Sequence, residues 1–327
     1  MDRRTLVSAL ASSLVVVPFA VRAQQAGQVR RIGWLWNDPP QTPDEIRKEY
    51  PTHLRALGWI EGQNVIIERR YTGGKTDLLK ALADELVRIK PDLIAAEGTI
   101  ATLAVKNATS TIPIVFSRSG DPVRAGLVSS LARPGGNVTG TSTLSPDLDH
   151  KRLQLLHELL PDAVRVGELV VPANPIEHAA RNEYERGYRA LGMQPIFVEV
   201  ARASDLESSI DKLAQLGAQA LHVSPEPLLG SNFELILRAA QRHSLPVMVE
   251  EKNVLEVGGL ISYGPDEVEL DRQLAFIIDK ILRGAKPADL PIQLPRKFDL
   301  GLNLKTAKAL GITIPPSLLL RADTVIQ

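Results

Sequence analysis

The side chains with chemistry to offer stand singly in this sequence, each where an apolar, β-branched run gives way to turn residues. Asn37 follows Trp34-Leu35-Trp36, Gly98-Thr99 follow Asp92 to Ala96, and Ser117 and Asp121 follow Ile112 to Phe116. Further along, Asn174 and Glu226 stand just past similar runs, and Glu250 ends one. If those runs are parallel strands, ligands bind beyond their carboxyl ends. The free amides of a helix opening at Gly98-Thr99 favour a carboxylate, while Asp121, Glu226 and Glu250 favour an ammonium. A zwitterion such as an amino acid suits that mixture. Asp121, in Gly120-Asp121-Pro122, has a second reading as a cap for the turn that follows, and Asn174 could cap in the same way. Aromatics make up only 4% of the chain. Trp36 and Tyr263 are therefore the expected stacking partners for a ligand, with Trp34 read as core.

No catalytic constellation accompanies these residues. Gly73-Gly74-Lys75-Thr76 resembles the end of a phosphate-binding loop, but Arg69 occupies the place of its first glycine. No Gly-x-Gly-x-x-Gly follows the first apolar run, and no serine sits in a Gly-x-Ser-x-Gly elbow. The six histidines lack ligand spacing and cysteine is absent, so neither a metal nor another cofactor is expected. The protein is not expected to be an enzyme.

The elements that must carry these residues alternate. Strands are expected at Arg31 to Trp36, Val65 to Tyr71, Asp92 to Ala96 and Ile112 to Phe116, with helices at Pro43 to Leu57, Thr76 to Ile89 and Thr99 to Asn107. The pattern restarts with strands at Val164 to Val171, Gln194 to Val200, Ala220 to Ser224 and Pro246 to Glu250. Helices at Glu177 to Leu191, Asp205 to Leu216 and Phe233 to His243 separate them. Repeated βα units imply parallel sheets covered by helices, an α/β architecture of two doubly wound lobes. The break falls at Pro134 to Pro146, a short strand among turn residues that suits a hinge. The expected division is 29–143 with about 258–283 for lobe 1, and 144–257 with about 284–327 for lobe 2.

A length of 327 residues agrees with two domains. The chain has 38 basic and 38 acidic residues without long runs of either sign, which argues against nucleic acid as a partner. Its first residues read as a secretory signal: Arg3-Arg4, an uncharged stretch from Thr5 to Val21, then Val21-Arg22-Ala23. Cleavage is expected after Ala23, leaving a net charge of −2. The general secretory and twin-arginine routes both remain open. Without cysteine there is neither a disulfide nor a lipid-anchored N-terminus, so a periplasm is the expected location.

Longer motifs carry a family resemblance. The run Ala108-Thr109-Ser110-Thr111-Ile112-Pro113-Ile114-Val115-Phe116, then Gly120-Asp121-Pro122-Val123, then Gly126 to Gly140, resembles one group of ABC-transporter substrate-binding proteins that includes receptors for tryptophan and tyrosine. The likeness resumes at Leu169 to Pro175, at Gly258-Gly259-Leu260-Ile261-Ser262-Tyr263-Gly264-Pro265, and at Leu302 to Gly311 followed by Ile314-Pro315-Pro316. It implies a periplasmic binding protein-like fold whose lobes close on a small-molecule ligand. The implied partner is an ABC transporter permease in the inner membrane, with the receptor itself a monomer. The sequence departs from the group at Val249 to Val254 and after Pro227, where relatives often carry bulkier or aromatic residues, so specificity is expected to differ. An exported ligand-sensing subunit for a membrane signalling protein would share these features, as would, more remotely, an enzyme on the same fold.

Overall fold

The computed structural model describes residues 29–37, 50–143 and 145–327. The secretory segment, Asp38 and the start of the helix expected from Pro43 lie outside the described residues. Strands β1 (Arg30–Trp36), β2 (Val65–Tyr71), β3 (Leu93–Glu97), β4 (Ile114–Ser119) and β5 (Val138–Ser142) form an all-parallel sheet of order β2-β1-β3-β4-β5. β1 is apolar along most of its length because it lies inside the sheet, paired with β2 and β3 and covered on both faces. Helices α1 (Tyr50–Ala56), α2 (Leu79–Arg88) and α3 (Gly98–Ala108) connect these strands. α2 buries Leu79, Ala83 and Leu86, spaced four and three residues apart along one face.

The second sheet has seven strands: β6 (Arg165–Val170), β7 (Gln194–Glu199), β8 (Ala220–His222), β9 (Val247–Val249), β10 (Ile261–Pro265), β11 (Phe298–Asn303) and β12 (Thr324–Ile326). Their order is β12-β11-β10-β9-β8-β6-β7, and the β10–β11 pair is antiparallel. Helices α4 (Ser145–Leu159), α5 (Pro175–Ala190), α6 (Leu206–Gln215), α7 (Pro227–Gly230) and α8 (Phe233–Arg242) accompany the parallel part. α8, within the helix expected at Phe233 to His243, buries Phe233, Ile236, Leu237 and Ala240 along one face.

The chain passes between the lobes more than once. After β5 it enters the second lobe, and it returns to the first at α9 (Glu267–Leu282). The Asp266 carboxylate caps α9 by accepting from the Glu269 amide. Leu274, Ile278 and Ile281 of α9 then pack with Trp34, Leu93 and Val115 in the first lobe's core. Ile292 joins the same lobe's other core cluster, and the Ser142 amide donates to the Gln293 carbonyl at 2.9 Å. From β11 onward, through α10 (Leu304–Ala309), α11 (Pro316–Leu319) and β12, the chain belongs to the second lobe. The expected boundary at about 258 needs correction: Ile261 and Ser262 pair with Met248 and Val249 of β9, and residues 261–265 pair with β11, so this strand lies in the second sheet. That strand's apolar pattern fits either sheet, and its pairing partner decides.

Backbone crowding fixes the hinge-side edge of the first sheet. A Cβ on Gly140 of β5 would lie 2.1 Å from the Phe116 carbonyl oxygen and 2.6 Å from its ring. Backbone cannot yield there as a flexible side chain could. Gly140→Ala is expected to destabilise the protein by about 3 kcal/mol, read as a lowered midpoint in urea unfolding. A midpoint equal to that of the unaltered protein would show that β5 is free to shift.

Candidate functional site

A cavity lies where the carboxyl ends of the two sheets face each other. The first lobe contributes Gly98 and Thr99 from the start of α3, with Arg118 and Gly120 from the end of β4. The second lobe contributes Asp149 from α4, Asn174 after β6, Tyr184 from α5, and Ser224 to Pro227 after β8. The space is about 400 Å³ when the open solvent at its mouth is included, and its enclosed part has room of about 30 Å³ for the centres of water-sized groups. Gly98 has φ +73°, and a Cβ there would come within 3.2 Å of Pro227 on the facing lobe. Backbone approach across the cleft therefore depends on glycine. The lobes also touch through an Arg124–Glu183 ion pair at 2.9 Å. Ile100 packs into the second lobe's core, and Tyr184 packs into the first's.

On the first-lobe side, Thr99 is buried and its hydroxyl lies 3.0 Å from that of Ser119. Arg118 has φ +53° where the β4–β5 register shifts. Its guanidinium meets Asp271 at 3.4 Å, Glu97 at 3.9 Å and Glu267 at 4.0 Å, so this cation is already surrounded by acids.

The second-lobe wall rests on buried charge. Arg152 is fully buried and donates to Asp149 at 2.5 Å, to Glu250, and to the Tyr263 carbonyl at 2.7 Å. Deeper still, Glu168 accepts from the Tyr188 hydroxyl and lies 2.7 Å from His222 Nδ1. Burial works against the His222 cation, but the Glu168 charge and hydrogen bond outweigh it and hold the imidazole's pKa above its usual value. Burial pushes the Glu226 carboxyl up to about 7, although its hydrogen bond from Asn174 pulls the other way. Glu251 is raised to about 8 by burial and by the charges of Glu250 and Glu267. Among the described residues, no cluster of three or more His, Asp or Glu side chains could hold a metal ion.

Of the residues singled out from sequence, Gly98, Thr99, Asn174 and Glu226 line this cavity. The other six lie outside its wall. Trp36 is buried, stacked on Trp34 at 4.8 Å and Tyr71 at 5.1 Å. Asn37 accepts from the Thr72 hydroxyl, and Ser117 is buried within β4. Asp121 accepts from the amides of Val123 at 3.1 Å and Arg124 at 2.9 Å, the capping geometry of its second reading. Glu250 is engaged with Arg152, and the Tyr263 ring stacks on Phe298. Arg118, within the strand-end loop Ser117 to Pro122 expected at the cleft, lines it as well, as do Asp149 and Tyr184, which were not expected there. Asp149 and Tyr184 project from helix faces, and Arg118 lies within the β4–β5 register shift, where strand alternation no longer reports direction.

The chain belongs to the ABC transporter substrate binding protein family, whose model matches residues 41–326. It is 29% identical over 280 residues to a tyrosine-binding protein of Clostridioides difficile (strain R20291), covering 82% of this chain and 77% of that relative. The crystal structure of an ABC domain in complex with L-Trp from Streptococcus pneumonia matches with a TM-score of 0.82 and 27% identity, covering 91% of this chain and 99% of that one. A substrate binding protein with adhesive properties from Clostridium difficile, in its ligand-free, open form, matches with a TM-score of 0.61 and 25% identity, covering 91% of this chain and all of that one. The fold is thus that of periplasmic binding protein-like solute receptors.

The raised Glu226 carboxyl makes stability depend on pH. Native Glu226 keeps a proton up to about pH 7, whereas the unfolded chain releases it near the ordinary carboxylate value. The native state therefore binds more protons in that window, and stability falls as pH rises through it. Glu226→Gln should flatten the fall in urea midpoint between pH 5 and 8 and be the more stable form at pH 8. Parallel curves for the two proteins would place a charged Glu226 in the native state.

Proposed function

We propose that this protein captures an amino acid or a related small zwitterion between its lobes and delivers it to the inner-membrane permease of an ABC importer. It works in the periplasm as a monomer, with no cofactor and no turnover. The observation that carries this reading is the interlobe cavity, whose walls offer both signs of polarity. The opening of α3 at Gly98-Thr99 presents amide hydrogens suited to a carboxylate. Asp149 and Glu226 face it from the second lobe and suit an ammonium. A ligand that brings an ammonium beside Glu226 would also favour loss of its proton.

Two relatives support the ligand class: one is named for tyrosine and the other was solved with L-Trp. The lobe arrangement supports capture by closure. At similar identity the chain superposes far better on the L-Trp complex, at 0.82, than on the open form, at 0.61. Contacts across the cleft at Gly98, Ile100, Arg124 and Tyr184 belong to such a closed form. The two lobes then move as bodies about the crossings after β5, at Asp266 and before β11.

A thermal-shift screen of the purified chain against amino acids and small carboxylates tests the reading. A binder at 100 times its dissociation constant adds about 2.7 kcal/mol of stability. Thr99→Ala should then weaken that ligand by about 1 kcal/mol, roughly fivefold in Kd by calorimetry. A screen in which sugars or cations stabilise the protein and no amino acid does would refute the proposal.

A further inference from the structure

Behind the second-lobe wall of the cavity lies a small pocket with room of about 10 Å³ for the centre of a water-sized group, lined by Asp149, Leu153, Glu168, Tyr188, Phe197 and His222 among others. Its floor is a row across the sheet. Glu168 of β6 pairs in register with Phe197 of β7 and with His222 of β8, so their side chains share one face. α4 supplies Asp149 and Leu153, and α5 supplies Tyr184 and Tyr188, over that face. The pocket shares Asp149, Tyr184 and Ser224 with the interlobe cavity, so the two spaces adjoin along a common wall.

Two polar atoms in this wall have no hydrogen-bond partner among the described residues. His222 Nε2 and Ser224 Oγ are buried without a hydrogen bond, in side chains left 2% and 9% exposed. Buried polar groups are nearly always satisfied, so each such atom asks for an explanation. The neighbours are already committed. Glu168 is taken by His222 Nδ1 and by the Tyr188 hydroxyl. Asp149 Oδ1 binds Arg152 and stands 3.8 Å from His222 Nε2, too far for a direct hydrogen bond.

We propose that this pocket receives a hydroxyl group on the ligand's side chain, which would make the protein a receptor for hydroxyl-bearing amino acids; this rests on the amino-acid reading above. A hydroxyl is both donor and acceptor. It accepts from His222 when Nε2 carries a proton and donates to it when Nε2 does not, and it can bond Ser224 or Asp149 at the same time. A ligand carboxylate would face Asp149 and Glu168 at close quarters. An ammonium offers nothing to a protonated Nε2, and the raised His222 pKa favours that state. A methyl group leaves both atoms unsatisfied. Leu153 and Phe197 supply apolar surface for the carbons that carry the hydroxyl.

Calorimetry with pairs that differ by one oxygen tests this: L-tyrosine against L-phenylalanine, L-serine against L-alanine, and L-homoserine against L-2-aminobutyrate. In at least one pair the hydroxylated member should bind about tenfold tighter or more, since a site built to hydrogen-bond a hydroxyl rejects the analogue lacking it. Ser224→Ala and, separately, His222→Gln should reduce that ratio to within about threefold; the serine variant keeps the test open if loss of His222 prevents folding. Amino-acid binding with no preference inside any pair overturns the proposal and leaves the broader reading standing. So does a preference that survives in a folded variant. Failure of every amino acid to bind overturns both.

Discussion

The second lobe is organised around one buried cation. Arg152 is fully buried and ties three elements together: its own helix through Asp149, the end of β9 through Glu250, and β10 through the Tyr263 carbonyl. A guanidinium suits the task because its planar fork offers five donors at fixed angles and stays charged when buried. Burial alone would lower its pKa, yet the adjacent Glu250 and Asp149 charges more than offset that and raise it. Such an arrangement adds little net stability over a well-packed apolar core, but leaving one partner alone in the interior costs about 3–5 kcal/mol. The network thus specifies geometry. It sets Asp149 in the cavity wall and holds β10 against β9 at the point where the chain returns to the first lobe.

The cleft is an acidic place whose charge is rationed by burial. Glu226 and Glu251 keep their protons to about pH 7 and 8, while Glu168 is matched by His222 and Asp149 by Arg152. On the opposite side Arg118 is held among Glu97, Glu267 and Asp271. Charges brought together by lobe closure would repel without this pairing and protonation. The same arrangement leaves the cavity able to respond to a cationic group, because a carboxyl titrating near neutrality changes state at small cost.

Much of the fold was legible in the sequence because a strand buried on both faces reads as an apolar run and a helix between layers reads with its own period. Positions at strand ends were legible for the same reason, which is why Gly98, Thr99, Asn174 and Glu226 reach the cavity. Depth was not legible. Trp36 ends its strand, where a ligand-stacking residue is expected, but its neighbours at i−2 and on β2 are aromatic, and the three rings stack into the core. Asp121 was open to two roles, and its two short amide contacts favour the cap. Arg152, Asp149 and His222 carry no local signal, since a charged residue on an amphipathic helix or in a short strand resembles a solvated one until its distant partners are known. Glu250 lies 98 positions from Arg152.

The central claim is that the lobes close on an amino acid, and the absence of cysteine makes closure measurable. Spin labels on cysteines introduced at exposed Lys80 of the first lobe and exposed Arg202 of the second would attach nowhere else. Pulsed dipolar spectroscopy would then give the inter-lobe distance distribution with and without the amino acid that stabilises the protein. A broad distribution that narrows and moves to a single new distance on saturation is the predicted result. An unchanged distribution at saturating ligand would contradict capture by closure.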